Sequence, residues 1–196
     1  MAKPRYIPML RRRREGKTDY RKRRSVVMSR RPLFCPRVSG KNISIQFIKP
    51  SLGGDRVLTA THSRQLIKFG WKGSRKNLPA AYLTGLLAGL KALKAGVEKA
   101  VVYVGVKPYV HGSRLAAAIK GALDAGVEIP VGEESLPPDE RIRGEHIARY
   151  AEQLAEEDPA KYQRVFSQLL RNGFRPEDYP KHFNEVRSAI LSGVRG

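Results

Sequence analysis

The stretch "NLPAAYLTGLLAGLKALKAGVEKAVVYVGV" (residues 77–106) joins a helix to a strand. Asn77 is a typical helix N-cap, Pro79 suits the first turn, and Gly96 provides a C-terminal stop. Between them, apolar side chains recur at helical spacing, at Leu83, Leu86, Leu87, Leu90 and Leu93. The short apolar run 99–106 is typical of a buried central strand. The pattern therefore predicts a helix of about seventeen residues followed by a strand, as in an α/β fold.

The neighbouring segments extend this α/β layer on both sides. Residues 38–50, "VSGKNISIQFIKP", alternate β-branched and polar side chains, and residues 56–63 resume strand composition after the turn-forming "SLGGD". These two strands are predicted to form an antiparallel hairpin. Residues 113–126 predict a second helix, so a right-handed crossover and a parallel strand pair should lie beside the hairpin. We expect a small mixed sheet of three or four strands with packed helices over residues 33–131.

The remaining residues, 132–196, are expected to form a helical C-terminal extension. Residues 133–158 carry nine acidic and three basic side chains, so this part should avoid phosphate. Two amphipathic stretches follow, "DPAKYQRVFSQLLRNG" and "PKHFNEVRSAILSG", and each predicts a helix. Amphipathic helices must bury their apolar faces, either within their own domain or against a partner protein.

Basic charge is concentrated at the N-terminus. The chain has 38 Lys and Arg against 18 Asp and Glu, and residues 1–37 alone hold 14 basic and 2 acidic groups. In "MLRRRREGKTDYRKRRS" (residues 9–25), nine side chains are basic and seven of these are arginine, whose planar fork suits phosphate. Because like charges at neighbouring helical positions repel, the neutralising partner should lie outside the chain. We predict that residues 1–32 form an extended, nucleic-acid-binding arm.

A charge run is often only a solvated tail, but two further features indicate nucleic acid. Tyr6 and Tyr20 interleave the cations of the arm and could stack on bases. The basic excess also continues into the core, which is not expected if the N-terminal segment were only a solvated tail. The core cations expected to surround Trp71 are Arg37, Lys41, Lys68, Lys72, Arg75 and Lys76.

Signals for catalysis, metal or cofactor are sparse. The four histidines are dispersed, and the single cysteine, Cys35, excludes an internal disulfide and is expected to be a small buried residue. Gly85 and Gly89 match no phosphate-binding glycine motif and are interpreted as close helix packing. We expect no metal, no cofactor and no small-molecule substrate. A general chromatin-like protein and an RNA-processing enzyme stay open as alternatives.

The sequence also lacks an apolar run long enough to span a membrane and an apolar signal region. We therefore expect a cytoplasmic chain without a membrane partner. An arginine-rich, acid-poor start can also belong to an organellar transit peptide, although here the basic run carries on into the core.

Several motifs together resemble one known family. They are "PRY" with "RRRREGKTDYRKR", the pattern Arg37-x-Ser39-x-Lys41-x-Ile43-x-x-Gln46, "GWKGSRKNLPAAYLTGLLAGL", "YVHGSRLAAAIKGALDAGVEIP" and "RGEHIARYAEQL". In this order, over nearly the whole chain, they are similar to the universal large-subunit ribosomal protein family numbered eighteen in bacteria and five in eukaryotes, in its archaeal form. The resemblance implies a non-enzymatic constituent of the large ribosomal subunit.

By the same resemblance, the partners should be 5S rRNA, 23S rRNA and neighbouring ribosomal proteins of the central protuberance. The C-terminal helices are assigned to the protein contacts. Arg37, Ser39 and Lys41 are expected on the first strand, and residues 109–114 in a strand-to-helix loop, where backbone N–H groups can hold a phosphate. For His111, an ordinary loop histidine satisfied by backbone stays an alternative.

The residues and the resemblance together give one set of expected RNA contacts. The set is Arg5, Tyr6, Arg11, Arg12, Arg13, Arg14, Lys17, Tyr20, Arg21, Lys22, Arg23, Arg24, Arg30, Arg31, Arg37, Ser39, Lys41, Lys68, Trp71, Lys72, Arg75, Lys76, Tyr109, His111, Gly112 and Arg114.

Overall fold

A four-stranded mixed sheet lies at the centre of the protein. The computed structural model describes residues 8–51 and 53–195, so the expected contacts Arg5 and Tyr6 lie outside the described residues. The strand order is β3-β2-β1-β4, with β1, β2 and β3 antiparallel and β4 parallel to β1. The bounds are β1 Leu33–Val38, β2 Ile43–Lys49, β3 Arg56–His62 and β4 Val101–Val102. The α/β fold class with a small mixed sheet is confirmed.

Of the segment 38–50 expected to form one strand, residues 43–49 form β2, and residues 39–42 form the turn that joins β2 to β1. Ser39 Oγ donates to the Asn42 carbonyl oxygen at 2.9 Å and accepts the Asn42 N–H at 3.2 Å, so the chain reverses there. Residues 39–42 are therefore not strand, and the prediction that Ser39 and Lys41 lie on a strand is wrong, whereas Arg37 does lie on β1. The sequence did not predict β1, because its first four residues are all buried and show no alternation.

The parallel pair is shorter than the sequence indicated. Of the predicted strand 99–106, only Val101–Val102 pairs with β1, and an isolated parallel bridge joins Lys99 to Glu128. The residues that follow β4 turn away from the sheet as a loop. This loop opens at the carboxyl ends of both β1 and β4, because the two strands are parallel.

Helices α3, Leu78–Lys94, and α4, Arg114–Asp124, follow the predicted bounds closely. The Asn77 side chain caps α3 by accepting the Ala80 N–H at 3.0 Å, and Gly96 ends it with a φ of +74°. Most of α3 is buried in the main core. The helix expected from residues 77–96 is therefore present.

Helices α3 and α4 approach each other so closely that glycine is required at the contact. A Cβ added to Gly85 would lie 2.1 Å from the carbonyl oxygen of Ala118, and one added to Gly121 would lie 2.2 Å from that of Tyr82. A Cβ on Gly89 would meet the Ala125 side chain at 2.6 Å. The interpretation of Gly85 and Gly89 as packing glycines is confirmed.

The described part of the arm contains two short helices, α1 Arg11–Arg14 and α2 Tyr20–Met28, so it is not extended throughout. Asp19 caps α2, because its carboxylate accepts the N–H groups of the next turn. Val26 of α2 packs against a small buried cluster that includes Cys35. The arm therefore contacts the sheet, and Cys35 is the small buried residue that the sequence indicated.

Five further helices form the C-terminal region. They are α5 Asp139–Arg143, α6 Glu145–Glu157, α7 Pro159–Val165, α8 Ser167–Arg171 and α9 Tyr179–Arg195. Asp158 caps α7 as its position suggests, but the helix breaks at Phe166, and α5 and α6 were not predicted. On α9, the buried side chains belong to the same core as the sheet and α3; they are Tyr179, Phe183, Val186 and Ile190. The apolar face of α9 is thus buried by the chain itself.

Candidate nucleic-acid interface

A basic groove of about 640 Å³ lies at the carboxyl ends of β1 and β4. Four segments line it: the arm, the end of β1 with its turn, the residue before the α3 cap, and the loop from β4 to α4. No described residue that lines it is Asp or Glu. Its cations are Arg12, Lys17, Arg37, Lys76, Lys107 and Arg114. A concave surface with charge of one sign favours an anionic ligand.

The arm wall of the groove is held by exposed, exchangeable contacts. Glu15 pairs with Lys17 at 2.8 Å and with Arg11 at 2.9 Å, and these bonds to Lys17 and Arg11 lower the pKa of its carboxyl. Arg12 Nε donates to Thr18 Oγ1 at 2.9 Å. Exposed ion pairs contribute little to stability, so these cations can exchange their partners for phosphates.

The start of α4 forms another part of the lining. Gly112, with a φ of +63°, donates its N–H to the Ser135 carbonyl oxygen at 3.0 Å. Ser113 stands at the N-cap position without capping, and its Oγ is buried with no partner among the described residues. Arg114 is half-buried beside it. Free N–H groups at a helix start and an adjacent arginine together favour a phosphate oxygen.

Comparison with known proteins assigns this chain to a family. The family model for ribosomal large subunit proteins 60S L5 and 50S L18 matches residues 4–98. The chain is 56% identical to large ribosomal subunit protein uL18 of Aeropyrum pernix over 188 residues, which are 95% of this chain and 88% of that protein. The chain belongs to the uL18 family. Identity to the uL18 proteins of Ignicoccus hospitalis and Thermofilum pendens is 52% and 49%, over 98% and 97% of this chain and 94% and 97% of theirs.

Membership in the uL18 family confirms the resemblance noted from the motifs. The protein is a structural constituent of the large ribosomal subunit in the cytoplasm, with rRNA and ribosomal proteins as its partners. The family is not enzymatic. Family membership therefore favours a structural ribosomal role over the general chromatin-like function and the RNA-processing enzyme.

Among the residues described, no group of three or more His, Cys, Asp or Glu side chains is arranged to hold a metal ion. No helix in this part of the uL18 chain combines the length and apolar character needed to cross a membrane.

Trp71 does not lie on the uL18 surface as the sequence suggested. Its side chain is only 3% exposed, its Nε1 donates to the Ser74 carbonyl oxygen at 3.1 Å, and its ring stacks on His182 at 5.1 Å. This burial is inconsistent with stacking on an RNA base, so Trp71 contributes only to the wall of a second groove, described below. A tryptophan among cations looks the same in sequence whether it faces the core or the solvent.

Arg23 differs from the other arm cations of this uL18 chain. Its guanidinium pairs with Asp55 and lies 5.4 Å from the ring centroid of Tyr103. Burial lowers the pKa of Arg23, but Asp55 and Tyr103 together more than offset this effect and the pKa is raised. Arg23 therefore holds α2 against the core, and we assign it to arm positioning rather than to phosphate contact.

The core cations divide between two places. Lys41, Lys72, Arg75 and Lys76 line a second groove of about 770 Å³, and Lys76 also lines the first groove. The second groove is bordered by the break between α7 and α8 and by α8, whereas Lys161 and Arg164 of α7 line neither groove. Lys68 lies elsewhere, in a cleft with Lys91 and Lys94 near the end of α3. The two grooves thus form one basic surface, which we call the basic face, and Lys68 is not part of it.

The loop from β4 to α4 contributes three more side chains to the basic face or to its support: Lys107, Tyr109 and His111. Tyr109 is half-buried and its hydroxyl donates to Ser135 Oγ at 3.2 Å, so it supports the loop, while the neighbouring His111 is exposed. Lys107 was missed by sequence reasoning, although it is exposed in the groove and its Nζ donates to the Val38 carbonyl oxygen at 3.3 Å. The signal that could have found Lys107 is its place in the loop after β4, at the carboxyl edge of the sheet.

Proposed function

We propose that this uL18-family chain binds 5S rRNA and helps attach it to 23S rRNA in the central protuberance. The observation that carries the proposal is the groove in which six cations from four chain segments converge, with no Asp or Glu among its described lining residues and only the exposed Glu15 paired to one of the cations, Lys17. Folded RNA presents phosphates and 2′-hydroxyls in a defined shape, and a concave basic surface recognises that shape rather than a base sequence.

The proposal assigns a role to each part of the chain. Residues 1–32 are the RNA-binding arm, residues 33–131 the 5S-binding core, and residues 132–196 the helical extension. The exposed arm cations are proposed to meet RNA backbone beyond the groove. They are Arg11, Arg13, Arg14, Arg21, Lys22, Arg24, Arg30 and Arg31, with Tyr20 available for stacking.

The remaining contacts follow from the basic face. Arg37 and Lys107 are exposed at the carboxyl edge of the sheet, where they can each meet a phosphate. The exposed turn with Ser39 and Lys41 and the exposed His111 flank this edge. The unpaired Ser113 Oγ and the α4 N–H groups support a phosphate beside Gly112 and Arg114.

Charge reversal tests the proposal. Arg37→Glu with Lys107→Glu replaces two attractions at the groove by repulsions, each worth about 1 kcal/mol or more, so 5S affinity should fall at least about a hundredfold. The matched control reverses two exposed cations of α7, Lys161→Glu with Arg164→Glu, and should change affinity by less than about threefold. Equal losses from both pairs would mean that only net charge matters.

A second measurement identifies the RNA. The full chain is crosslinked in cell extract and the bound RNA is sequenced, with a 5S RNA of scrambled sequence and equal length as a competitor in vitro. Enrichment of 5S rRNA and weak competition by the scrambled RNA are expected. A mixed, 5S-poor population would refute the proposed function.

A further inference from the structure

The loop of residues 71–77 joins the short 3-10 helix Ser63–Phe69, which follows β3, to α3. The first turn of α9 fixes this loop. The Lys72 N–H donates to His182 Nε2 at 3.0 Å, and the Ser74 N–H donates to the Tyr179 hydroxyl at 3.1 Å. The Asn77 side-chain amide donates to the same hydroxyl at 3.2 Å. Tyr179 and His182, more than a hundred residues further along the chain, thus satisfy polar groups along the whole loop.

The same two side chains also set how closely the loop lies on the core. Trp71 stacks on His182 with an interplanar angle of 18° and meets the Tyr179 ring edge-on, with centroids 5.9 Å apart. A Cβ on Gly73 would lie 2.8 Å from the Trp71 ring and 2.9 Å from the Tyr179 hydroxyl oxygen. The backbone therefore lies flat on these rings, with no room for a side chain at Gly73.

This loop carries three of the cations of the basic face. Lys72 is exposed, while Arg75 and Lys76 are half-buried, and Lys76 lines both grooves. A loop without helix or strand would have to lose backbone entropy on binding RNA. Fixing it in advance removes that cost and keeps its cations in register with the groove.

We propose that Tyr179 and His182 are positioning residues for RNA binding, so that the C-terminal extension is a part of the RNA-binding site and not only a protein-contact module. This inference rests on the proposed function. Neither side chain needs to touch RNA, because each acts through the backbone of the loop. The extension supplies the fixed support on which the basic loop depends.

Tyr179→Phe is the decisive variant, because it removes one hydroxyl and both of its hydrogen bonds to the loop. Tyr82→Phe is its matched control: Tyr82 is also buried, and its hydroxyl donates to Asp124 at 2.6 Å, between α3 and α4 and away from the loop. Three quantities are measured on each full-length variant: 5S rRNA affinity, the thermal unfolding midpoint, and the fluorescence of Trp71, the single tryptophan.

Tyr179→Phe should lower 5S affinity roughly five- to tenfold and shift the Trp71 emission, because the loop loses two of its anchors. Tyr82→Phe should lower the unfolding midpoint to a similar extent but leave affinity within about twofold. Two variants at position 182 test the second anchor. His182→Gln keeps an acceptor for the Lys72 N–H and should bind RNA better than His182→Leu, which has no acceptor.

Equal affinity losses for Tyr179→Phe and Tyr82→Phe would overturn the positioning role, since a general loss of stability would then explain both. Unchanged affinity and emission in Tyr179→Phe would overturn it as well. Failure of the proposed function can be distinguished from failure of the positioning role, because the wild-type chain itself would then show no preference for 5S rRNA. Arg75→Gln with Lys76→Gln must also weaken 5S binding, and unchanged affinity there would overturn the inference.

Discussion

Substituting Gly85 by alanine should destabilise the protein through the α3–α4 contact. The new Cβ would lie 2.1 Å from the carbonyl oxygen of Ala118 and 2.8 Å from its carbonyl carbon, and both atoms belong to backbone that cannot rotate away. Reaching an ordinary contact requires the two helices to separate by about 1 Å, which loosens dispersion contacts along their whole interface.

The magnitude follows from two opposing effects. Overpacking a tight core costs about 1–3 kcal/mol, and more where only backbone can yield. Alanine returns up to about 1 kcal/mol, because glycine is the poorer helix former. The free energy of unfolding should therefore fall by about 2 kcal/mol, equivalent to a roughly thirtyfold change in the folding equilibrium.

Urea denaturation of the full chain measures this change directly. The matched control is Gly132→Ala, since Gly132 has a φ of −74° and its added Cβ would meet only the Glu134 side chain at 3.7 Å. The control should stay within about 0.5 kcal/mol of wild type. If Gly85→Ala also stayed within that margin, the reasoning from close backbone approach would be refuted.

Three further predictions concern the ends of the chain and pH. If the arm makes about eight phosphate contacts, a plot of log affinity for 5S rRNA against log salt concentration should have a slope of about −7. Deleting residues 1–31 should make this slope shallower by several units. An unchanged slope in the deletion variant would show that the arm is not part of the interface. Deleting residues 159–196 removes buried core side chains of α9, so cooperative thermal unfolding should be lost, whereas retention of a native-like midpoint would contradict this packing. Burial lowers the pKa of His182; Glu185 opposes this shift and the charge of Lys72 adds to it. The neutral ring therefore stabilises the fold at pH values above the unfolded pKa of about 6.5, and this stabilisation is lost as pH falls below that value. The unfolding midpoint should accordingly drop with falling pH, and it should drop less steeply in His182→Gln.

Helix caps and helix-ending glycines could be predicted from the sequence, because they depend on residues next to them in the chain. Asn77 and Asp158 cap helices as their positions suggest, and Gly96 ends α3. The break at Phe166 and the helices α5 and α6 were not predicted. Their apolar faces meet each other and α9 rather than following one long helical stripe.

What the sequence could not supply was the set of long-range contacts. Nothing near Arg23 indicates that its partner is Asp55, in the turn before β3, and nothing near Trp71 indicates that its ring stacks on His182. These contacts decide which basic or aromatic side chains are free for RNA. The composition therefore predicted a nucleic-acid-binding surface and the family resemblance specified RNA, while the choice of residues within that surface required the fold.

The separation in sequence between α9 and the loop of residues 71–77 also sets an order of events during synthesis. The arm and this loop are synthesised before α9, whose side chains fix the loop from more than a hundred residues further along the chain. Domains fold as units once their sequence is available, and this core lacks the buried side chains of α9 until that helix has been made. The basic charge of a nascent chain is thus present early, whereas the shape of the loop that carries Lys72, Arg75 and Lys76 matures only after α9 has been synthesised.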